Sequence, residues 1–327
     1  MEKYVRITGT GSAVPNQVLT NSDLEKMVDT SDEWITERSG IKERRIAPPG
    51  IVGSDLAREA ALKAMEMAGI RPKDIDMIIL GTVCPDAPLP STACLLQDKL
   101  GATNAAVMDI VAACSGFIYG LSIARSFILT GQMKNVLVIG VEMLSRFTNW
   151  KDRNTCVLFG DGAGAAIVSP SKKPGGILDT YIKGDGSLAH LLRIPYGGTR
   201  VPLTADNICH DDRYIRMEGP EVFKSAVKAM GEAATAILER SGLSGENINL
   251  MIPHQANIRI IEATAKRIKL PMDRVYVNIH KYGNTSAASI PIALDEAVRE
   301  GRIKSGDKIV MVAFGAGFTW GSALIEW

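Results

Sequence analysis

The chain has 327 residues, 46% of them hydrophobic and 22% charged, with 37 basic against 36 acidic side chains and a formal net charge of +1. That suffices to bury a large core in one to three domains, and the balanced charge argues against nucleic acid or a membrane as a partner of the surface as a whole. The N-terminus lacks the basic-then-apolar pattern of a secretory leader, and apolar runs such as Met77 to Leu80 and Val136 to Val141 are far too short to span a bilayer. Five cysteines (Cys84, Cys94, Cys114, Cys156, Cys209) without a C-x-x-C pair predict reduced thiols in a cytoplasmic protein. Four histidines (His190, His210, His254, His280) without H-x-x-x-H spacing give no reason to expect a metal.

In chain order, Ser54 to Gly69 is rich in Ala, Leu, Met, Glu and Lys and closes on glycine, which predicts a helix with a glycine C-cap. Ile75 to Cys84 is a short apolar run ending in a turn, a buried strand. A helix over Ser91 to Leu100 and a strand over Val107 to Ile110 follow. Next comes D-I-V-A-A-C-S-G-F-I-Y-G-L-S, in which a strand ends near Val111 and a buried helix starts near Cys114 and runs to Leu129. Another strand follows Gly131, and Ser169 to Gly176 reads as a turn-rich joint.

Beyond that joint the plan recurs. Glu221 to Gly242 is a helix of the same composition, and the stretch after Gly242 resembles that after Gly69, an offset of 173 (242 − 69). Asn257 to Ile268 matches the helix at Ser91, Val275 to Ile279 the strand at Val107, and the run from Gly301 the run from Gly131, an offset of 170 (301 − 131). A duplicated α/β unit with about five strands per copy accounts for this, with halves at 1–172 and 173–327 forming one compact unit. An offset of 170 also carries Cys114 to Asn284 and Cys84 to His254. The three residues then sit at equivalent strand ends, where ligand sites of α/β sheets lie, and the pseudo-twofold axis brings them together.

Their chemistry is complementary. A cysteine at a helix N-terminus is favoured as thiolate and can hold an acyl group between half-reactions. His254, in M-I-P-H-Q-A-N, and Asn284, in G-N-T-S-A-A-S, can each donate a hydrogen bond to a thioester oxygen and stabilise an enolate formed by decarboxylation. Thr285 or Ser286 is placed to cap the following helix. The bland alternatives are a buried structural cysteine, a structural histidine and a turn asparagine. The Gly-rich runs at Gly9 and Gly160 lack the remaining residues of phosphate-loop fingerprints and are read as tight packing.

These segments resemble the thiolase-fold condensing enzymes, specifically the β-ketoacyl-acyl-carrier-protein synthase III family. The likeness rests on V-D-T-S-D-E-W-I (Val28 to Ile35), A-A-C-S-G-F, F-G-D-G-A-G-A (Phe159 to Ala165), P-H-Q-A-N, G-N-T-S-A-A-S and the closing G-F-T-W-G-S-A. It implies an α-β-α-β-α layered fold with two mixed five-stranded sheets. It also implies condensation of a short acyl-CoA primer with malonyl-acyl-carrier-protein through an acyl-Cys114 intermediate, without a cofactor, in a homodimer.

The resemblance assigns further residues. Trp34 and Arg153 match positions that sandwich the CoA adenine, and Arg38 matches a nucleotide contact. Gly219 lies in the CoA-binding region, although Pro220 stands beside it where a polar residue is usual. Phe223 is expected near the thiolate and Asn257 on the pantetheine arm. Backbone N–H groups of Cys114 and Ala316 would form an oxyanion hole, Ala316 replacing the family's usual glycine. Gln255, Ala256, Asn257, Ile258 and Arg259 would face the acidic carrier protein. Leu89 stands at the end of the acyl pocket, where a side chain smaller than phenylalanine would admit longer or branched primers. Three other readings compete. A specialised relative would serve secondary metabolism, a cysteine hydrolase would use His254 as base, and a carrier-protein binding module would lack catalysis. The hydrolase is disfavoured by the buried helix and the lack of an evident open groove.

Overall fold

The computed structural model describes residues 4–327. Its first sheet has five strands: β1 (Tyr4–Ala13), β2 (Met77–Gly81), β3 (Ala106–Ile110), β4 (Val136–Met143) and β5 (Asp161–Ser171). They lie in the order β1-β5-β4-β2-β3, with β2 parallel to both β3 and β4 and β5 antiparallel to β4 and β1. The second sheet holds β6 (Gly176–Gly184), β7 (Leu250–Pro253), β8 (Lys308–Gly315) and β9 (Thr319–Glu326) in the order β7-β8-β9-β6. Its β7·β8 pair is parallel and the other two are antiparallel, so the second sheet repeats the order and direction of β2, β4, β5 and β1 in the first.

The expected fifth strand of this sheet is absent. Val275 makes a single bridge to Met251, and the Tyr276 N–H donates to the Met251 carbonyl at 2.9 Å. Beyond it, the N–H groups of Asn278 and Ile279 go to Gln255 Oε1 at 3.0 and 3.2 Å. A buried side chain satisfies donors that a ladder would otherwise take, so the chain leaves the sheet after one residue. The second sheet is therefore four-stranded where the sequence predicted five.

Helices form the remaining three layers. Outside the first sheet lie α2 (Gly53–Ala68) and α3 (Thr92–Leu100), numbered after α1 (Asp32–Ser39). Gly69 ends α2 in a left-handed C-cap, and Ser91 caps α3 through the Cys94 N–H. Ala57, Ala60, Ala61 and Ala64 form the buried face of α2, and a Cβ at Gly9 or Gly11 of β1 would collide with its backbone. That close approach explains the first Gly-rich run. The second has the same cause, because a Cβ at Gly162 or Gly164 of β5 would strike Pro291 or Ile292.

The remaining helices are α4 (Gly116–Leu129), α5 (Gly219–Arg240), α6 (Ile258–Arg267) and α7 (Ser289–Arg299). Of these, α4 and α7 are central. Phe117, Leu121, Ile290 and Leu294 pack there against Val138 of one sheet and Met311 of the other. Helices α5 and α6 cover the far face of the second sheet through Met230, Ile237 and Ile261. All eight residues of β4 are buried, as expected of a strand covered on both faces.

The two central helices share an entry. Each follows a 3-10 turn, Ala113–Ser115 and Ser286–Ala288, and each turn opens on a non-glycine residue in the left-handed region, Ala113 at φ 44° and Ser286 at φ 45°. The offset there is 173 (286 − 113), not 170. Cys114 is thus the structural counterpart of Ala287, and Asn284 lies in the loop just ahead of its turn. The turns, rather than identical positions, bring the two residues to one place. Thr285 and Ser286 make no side-chain cap on α7. No helix among the described residues is long and apolar enough to cross a membrane.

Candidate active site

Both 3-10 turns open into a cavity of about 920 Å³. Its wall includes Cys114, His254, Asn284, Ser286 and the segment Phe314-Gly315-Ala316. The three residues singled out as reactive therefore share one chamber. It is open to solvent, contrary to the expectation that no groove would exist. The β3–α4, β7–α6 and β8–β9 connections meet there because the pseudo-twofold axis places the ends of both sheets together.

Cys114 is half-buried and sits within its 3-10 turn, two residues ahead of α4. A helix N-terminus favours thiolate, but burial wins here. It pushes the thiol up to about 12, with a hydrogen bond from Ser286 pulling the other way and the Glu142 charge adding to the rise. Burial thus favours the thiol form of Cys114 over the thiolate expected from helix placement. Cys84 is buried and its thiol is likewise raised, first by burial, which fits a structural thiol.

His254 is buried at the end of β7, and burial lowers its imidazole to about 3, so the ring is neutral. Its Nδ1 lies 2.7 Å from Ser289 Oγ, which accepts the Gln255 N–H at 3.4 Å. Ser289 Oγ can accept the Gln255 N–H and donate its own proton to Nδ1 at once, an arrangement in which Nε2–H is the free donor. Asn284 is oriented by the same logic. Its Oδ1 accepts the Ser286 N–H at 2.8 Å, which leaves the Nδ2 hydrogens to donate. Its backbone is pinned as Asn284 N to Leu158 O at 2.8 Å and Gly160 N to Asn284 O at 3.1 Å.

Across the cavity, a Cβ on Gly315 would stand 2.5 Å from Cys114 N. Glycine there keeps the Cys114 N–H accessible beside Ala316. Ala316 is not among the residues with positive φ, so its methyl group imposes no strain on a backbone donor. Thr319 Oγ1 donates to the Ala112 carbonyl at 2.8 Å and receives the Ser115 hydroxyl at 2.7 Å, tying the two backbone segments together.

Toward the mouth, the guanidinium groups of Arg38 and Arg153 each lie 4.9 Å from the centroid of the Trp34 ring. Trp34, Arg38, Gly219, Phe223 and Asn257 all line the cavity. Asn257 also caps α6 by accepting the Arg259 N–H at 2.9 Å, and its Nδ2 donates to the Arg38 carbonyl at 2.8 Å. Arg259 is exposed, with its guanidinium 5.4 Å from the Phe223 centroid. Ala256 and Ile258 are half-buried beside it, Ile258 packing toward Gly40.

Two assigned residues fall elsewhere. Gln255 is 1% exposed, and its amide donates to the carbonyls of Pro253 and Tyr276 while accepting from Asn278 and Ile279. It braces the missing fifth strand and offers no side-chain surface to a carrier protein. Leu89 is 86% exposed on the loop after β2 and does not line the cavity, whose wall from that loop is Val83. Sequence reasoning missed Ser289 and Glu142. The serine triplet spacing in G-N-T-S-A-A-S was a usable signal for Ser289, since one turn of 3-10 helix turns it back toward His254.

Residues 108–186 match the family described as 3-oxoacyl-[acyl-carrier-protein] synthase III, and residues 238–327 match its C-terminal part. A protein of Caldanaerobacter subterraneus subsp. tengcongensis named beta-ketoacyl-[acyl-carrier-protein] synthase III is 60% identical over 321 residues, covering 98% of this chain and 97% of its own. One of the same name from Clostridioides difficile is 53% identical over 327 residues, covering 100% and 99%. The crystal structure of 3-oxoacyl-[acyl-carrier-protein] synthase III from Aquifex aeolicus superposes with a TM-score of 0.92 at 52% identity, covering 99% of this chain and 100% of that one.

Proposed function

The chain belongs to the 3-oxoacyl-[acyl-carrier-protein] synthase III family, and from that premise we propose which residues carry its reaction. It is an acyltransferase that performs the initiating condensation of fatty acid synthesis. In our reading Cys114 attacks the carbonyl of a short acyl-CoA. The N–H groups of Cys114 and Ala316 hold the oxyanion, and CoA departs to leave acyl-Cys114. Malonyl-acyl-carrier-protein then loses carbon dioxide. His254 Nε2–H and Asn284 Nδ2–H bind the thioester oxygen as the enolate forms, and its carbon attacks the acyl group. Collapse expels Cys114 and yields the β-ketoacyl carrier protein. Every group is supplied by the protein, so no cofactor is invoked.

The single observation that carries this reading is the convergence of Cys114, His254, Asn284 and the Gly315–Ala316 backbone on one cavity. Trp34, Arg38, Arg153, Gly219, Phe223 and Asn257 would bind CoA along the mouth, the indole and guanidinium groups offering flat faces to a base. Arg259, exposed at that mouth, would meet the acidic carrier protein, with Ala256 and Ile258 at its edge. A homodimer is supported by the edge strand β3, paired on one side only, and by Val111 beside it, 79% exposed. The free cysteines, including the exposed Cys209, favour a reducing cytoplasm. The division into halves at 1–172 and 173–327 follows the two sheets.

The test uses labelled acyl-CoA and malonyl-acyl-carrier-protein with wild type and Cys114→Ser. Wild type gives label on Cys114 and a condensed product, and the variant gives no product. Unimpaired condensation by Cys114→Ser would overturn the assignment.

A further inference from the structure

Glu142, the penultimate residue of β4, is fully buried. Its Oε2 accepts the Val83 N–H at 3.1 Å and the Thr82 hydroxyl at 3.3 Å, and its Oε1 accepts the Ser286 hydroxyl at 3.0 Å. Thr82 and Val83 follow β2 of the first half, whereas Ser286 opens the turn that leads into α7 of the second. One carboxylate therefore ties the two halves together beside the cavity, whose wall includes Val83 and Ser286. Gly140 lies two residues earlier on the same face of β4, and a Cβ there would collide with the Ala287 carbonyl. Glycine lets the strand touch the turn, and Glu142 then binds it. These bonding partners are an amide and two hydroxyls, none of them a cation. A carboxylate buried in that way is costly and calls for a reason.

The turn that Glu142 grips is strained. Ser286 sits at φ 45°, and a non-glycine residue in the left-handed region persists only where its surroundings hold it. At the matching turn, Ala113 at φ 44° is held through the carbonyl before it, which accepts the hydroxyls of Ser115 and Thr319 at 2.7 and 2.8 Å. At Ser286 the hold is its own hydroxyl on Glu142. The conformation matters to the site because the Ser286 N–H, 2.8 Å from Asn284 Oδ1, occupies the oxygen of that amide and leaves Nδ2 to donate. An amide released from this bond can turn over and offer its oxygen instead. A continuous chain of hydrogen bonds thus runs from Glu142 through Ser286 to Asn284, and all three residues are buried.

We propose that Glu142 is a positioning residue for Asn284: by holding the Ser286 hydroxyl it keeps the turn that presents the Ser286 N–H to Asn284 Oδ1, and so sets which end of the Asn284 amide is left to meet the thioester oxygen. This rests on Asn284 being a donor to the enolate and adds what orients it. No proton has to move in this role. Burial raises the Glu142 carboxyl to about 7, and the Ser286 hydroxyl can donate to the carboxylate or accept from the acid, so the hold persists in both forms. A glutamine keeps it as well, with its oxygen for the Val83 N–H and its amide hydrogens for Ser286 Oγ. An alanine does not.

The experiment is a double-mutant cycle on carbon dioxide release from malonyl-acyl-carrier-protein by the intact enzyme. Glu142→Ala, Glu142→Gln and Ser286→Ala are each made in wild type and in Asn284→Ala. Glu142→Ala and Ser286→Ala are expected to slow release about tenfold with Asn284 present and to add less than about twofold without it, since a misplaced donor costs rate only where the donor exists. Glu142→Gln is expected to stay within about threefold of wild type because it keeps the bond. Self-acylation by labelled acyl-CoA, which does not use Asn284, should fall no more than about threefold in the Glu142 variants. Ser286→Ala keeps the bonds of Glu142 to Val83 and Thr82, and Ala113 shows alanine accommodated at the same φ, so the test survives if Glu142→Ala does not fold. Wild-type release in both alanine variants, full additivity with Asn284→Ala, equal losses in both half-reactions, or a glutamine variant as slow as Glu142→Ala overturns the positioning role alone. Unchanged release in Asn284→Ala itself overturns Asn284 as the enolate donor and the positioning role with it.

Discussion

Ser289 Oγ and His254 Nδ1 meet at 2.7 Å, with both side chains buried. With Ser289 Oγ donating to Nδ1, the ring proton sits on Nε2, the nitrogen that the proposed reaction presents to the thioester oxygen. Replacing Ser289 with Ala frees the tautomer and leaves Nδ1 unpaired. Losing one such bond costs about 1 to 2 kcal/mol. Decarboxylation of malonyl-acyl-carrier-protein should fall about tenfold, with self-acylation by acyl-CoA unchanged. Equal losses in both half-reactions would mean that Ser289 serves the fold and not the histidine.

Gly315 faces Cys114 N, where a methyl group would sit 2.5 Å away. Gly315→Ala should cover the oxyanion donor and slow acylation about 10² to 10³-fold, in line with loss of one such donor. Thermal unfolding measured alongside separates this from global destabilisation. An alanine variant that acylates at the wild-type rate would place the oxyanion elsewhere.

The neutral state of His254 has a consequence for pH. With its pKa lowered to about 3 by burial, the ring stays uncharged well below the ordinary histidine range, and its N–H donor is present throughout. Decarboxylation should therefore be flat from about pH 5 to 8. An inflection near 6.5 would show an ordinary histidine.

Arg259 is exposed at the cavity mouth above Phe223. Charge reversal with Arg259→Glu should raise KM for malonyl-acyl-carrier-protein about tenfold and leave acylation by acyl-CoA little changed. The defect should shrink as salt is added, because exposed charges are screened. A defect confined to acyl-CoA would assign Arg259 to the nucleotide.

Much of this arrangement was legible in the chain itself. Glycine-terminated helices and short apolar strands gave the repeat, and the repeat drew Cys114, His254 and Asn284 together. What escaped depends on side chains that replace regular structure or on partners far apart in sequence. Nothing in N-V-L-V-I-G-V-E-M marks Glu142 as more than a residue near the end of a strand, because its partners Thr82, Val83 and Ser286 lie elsewhere in the chain. The fifth strand failed because Gln255, read as a surface residue, turns inward to take the N–H groups of Asn278 and Ile279. Cys114 was read from its helix, whereas the burial around it decides its protonation. Leu89 was placed by likeness of position, and in the single chain it stands exposed on the loop after β2.

The division of labour within the cavity is the central claim, and one measurement bears on it most directly. His254→Ala and Asn284→Ala are each assayed for self-acylation by labelled acyl-CoA and, separately, for release of carbon dioxide from malonyl-acyl-carrier-protein. Retained labelling of Cys114 with carbon dioxide release reduced about 100-fold or more is the predicted result. Lost labelling with intact carbon dioxide release would contradict it, since His254 and Asn284 would then serve the nucleophile and not the enolate.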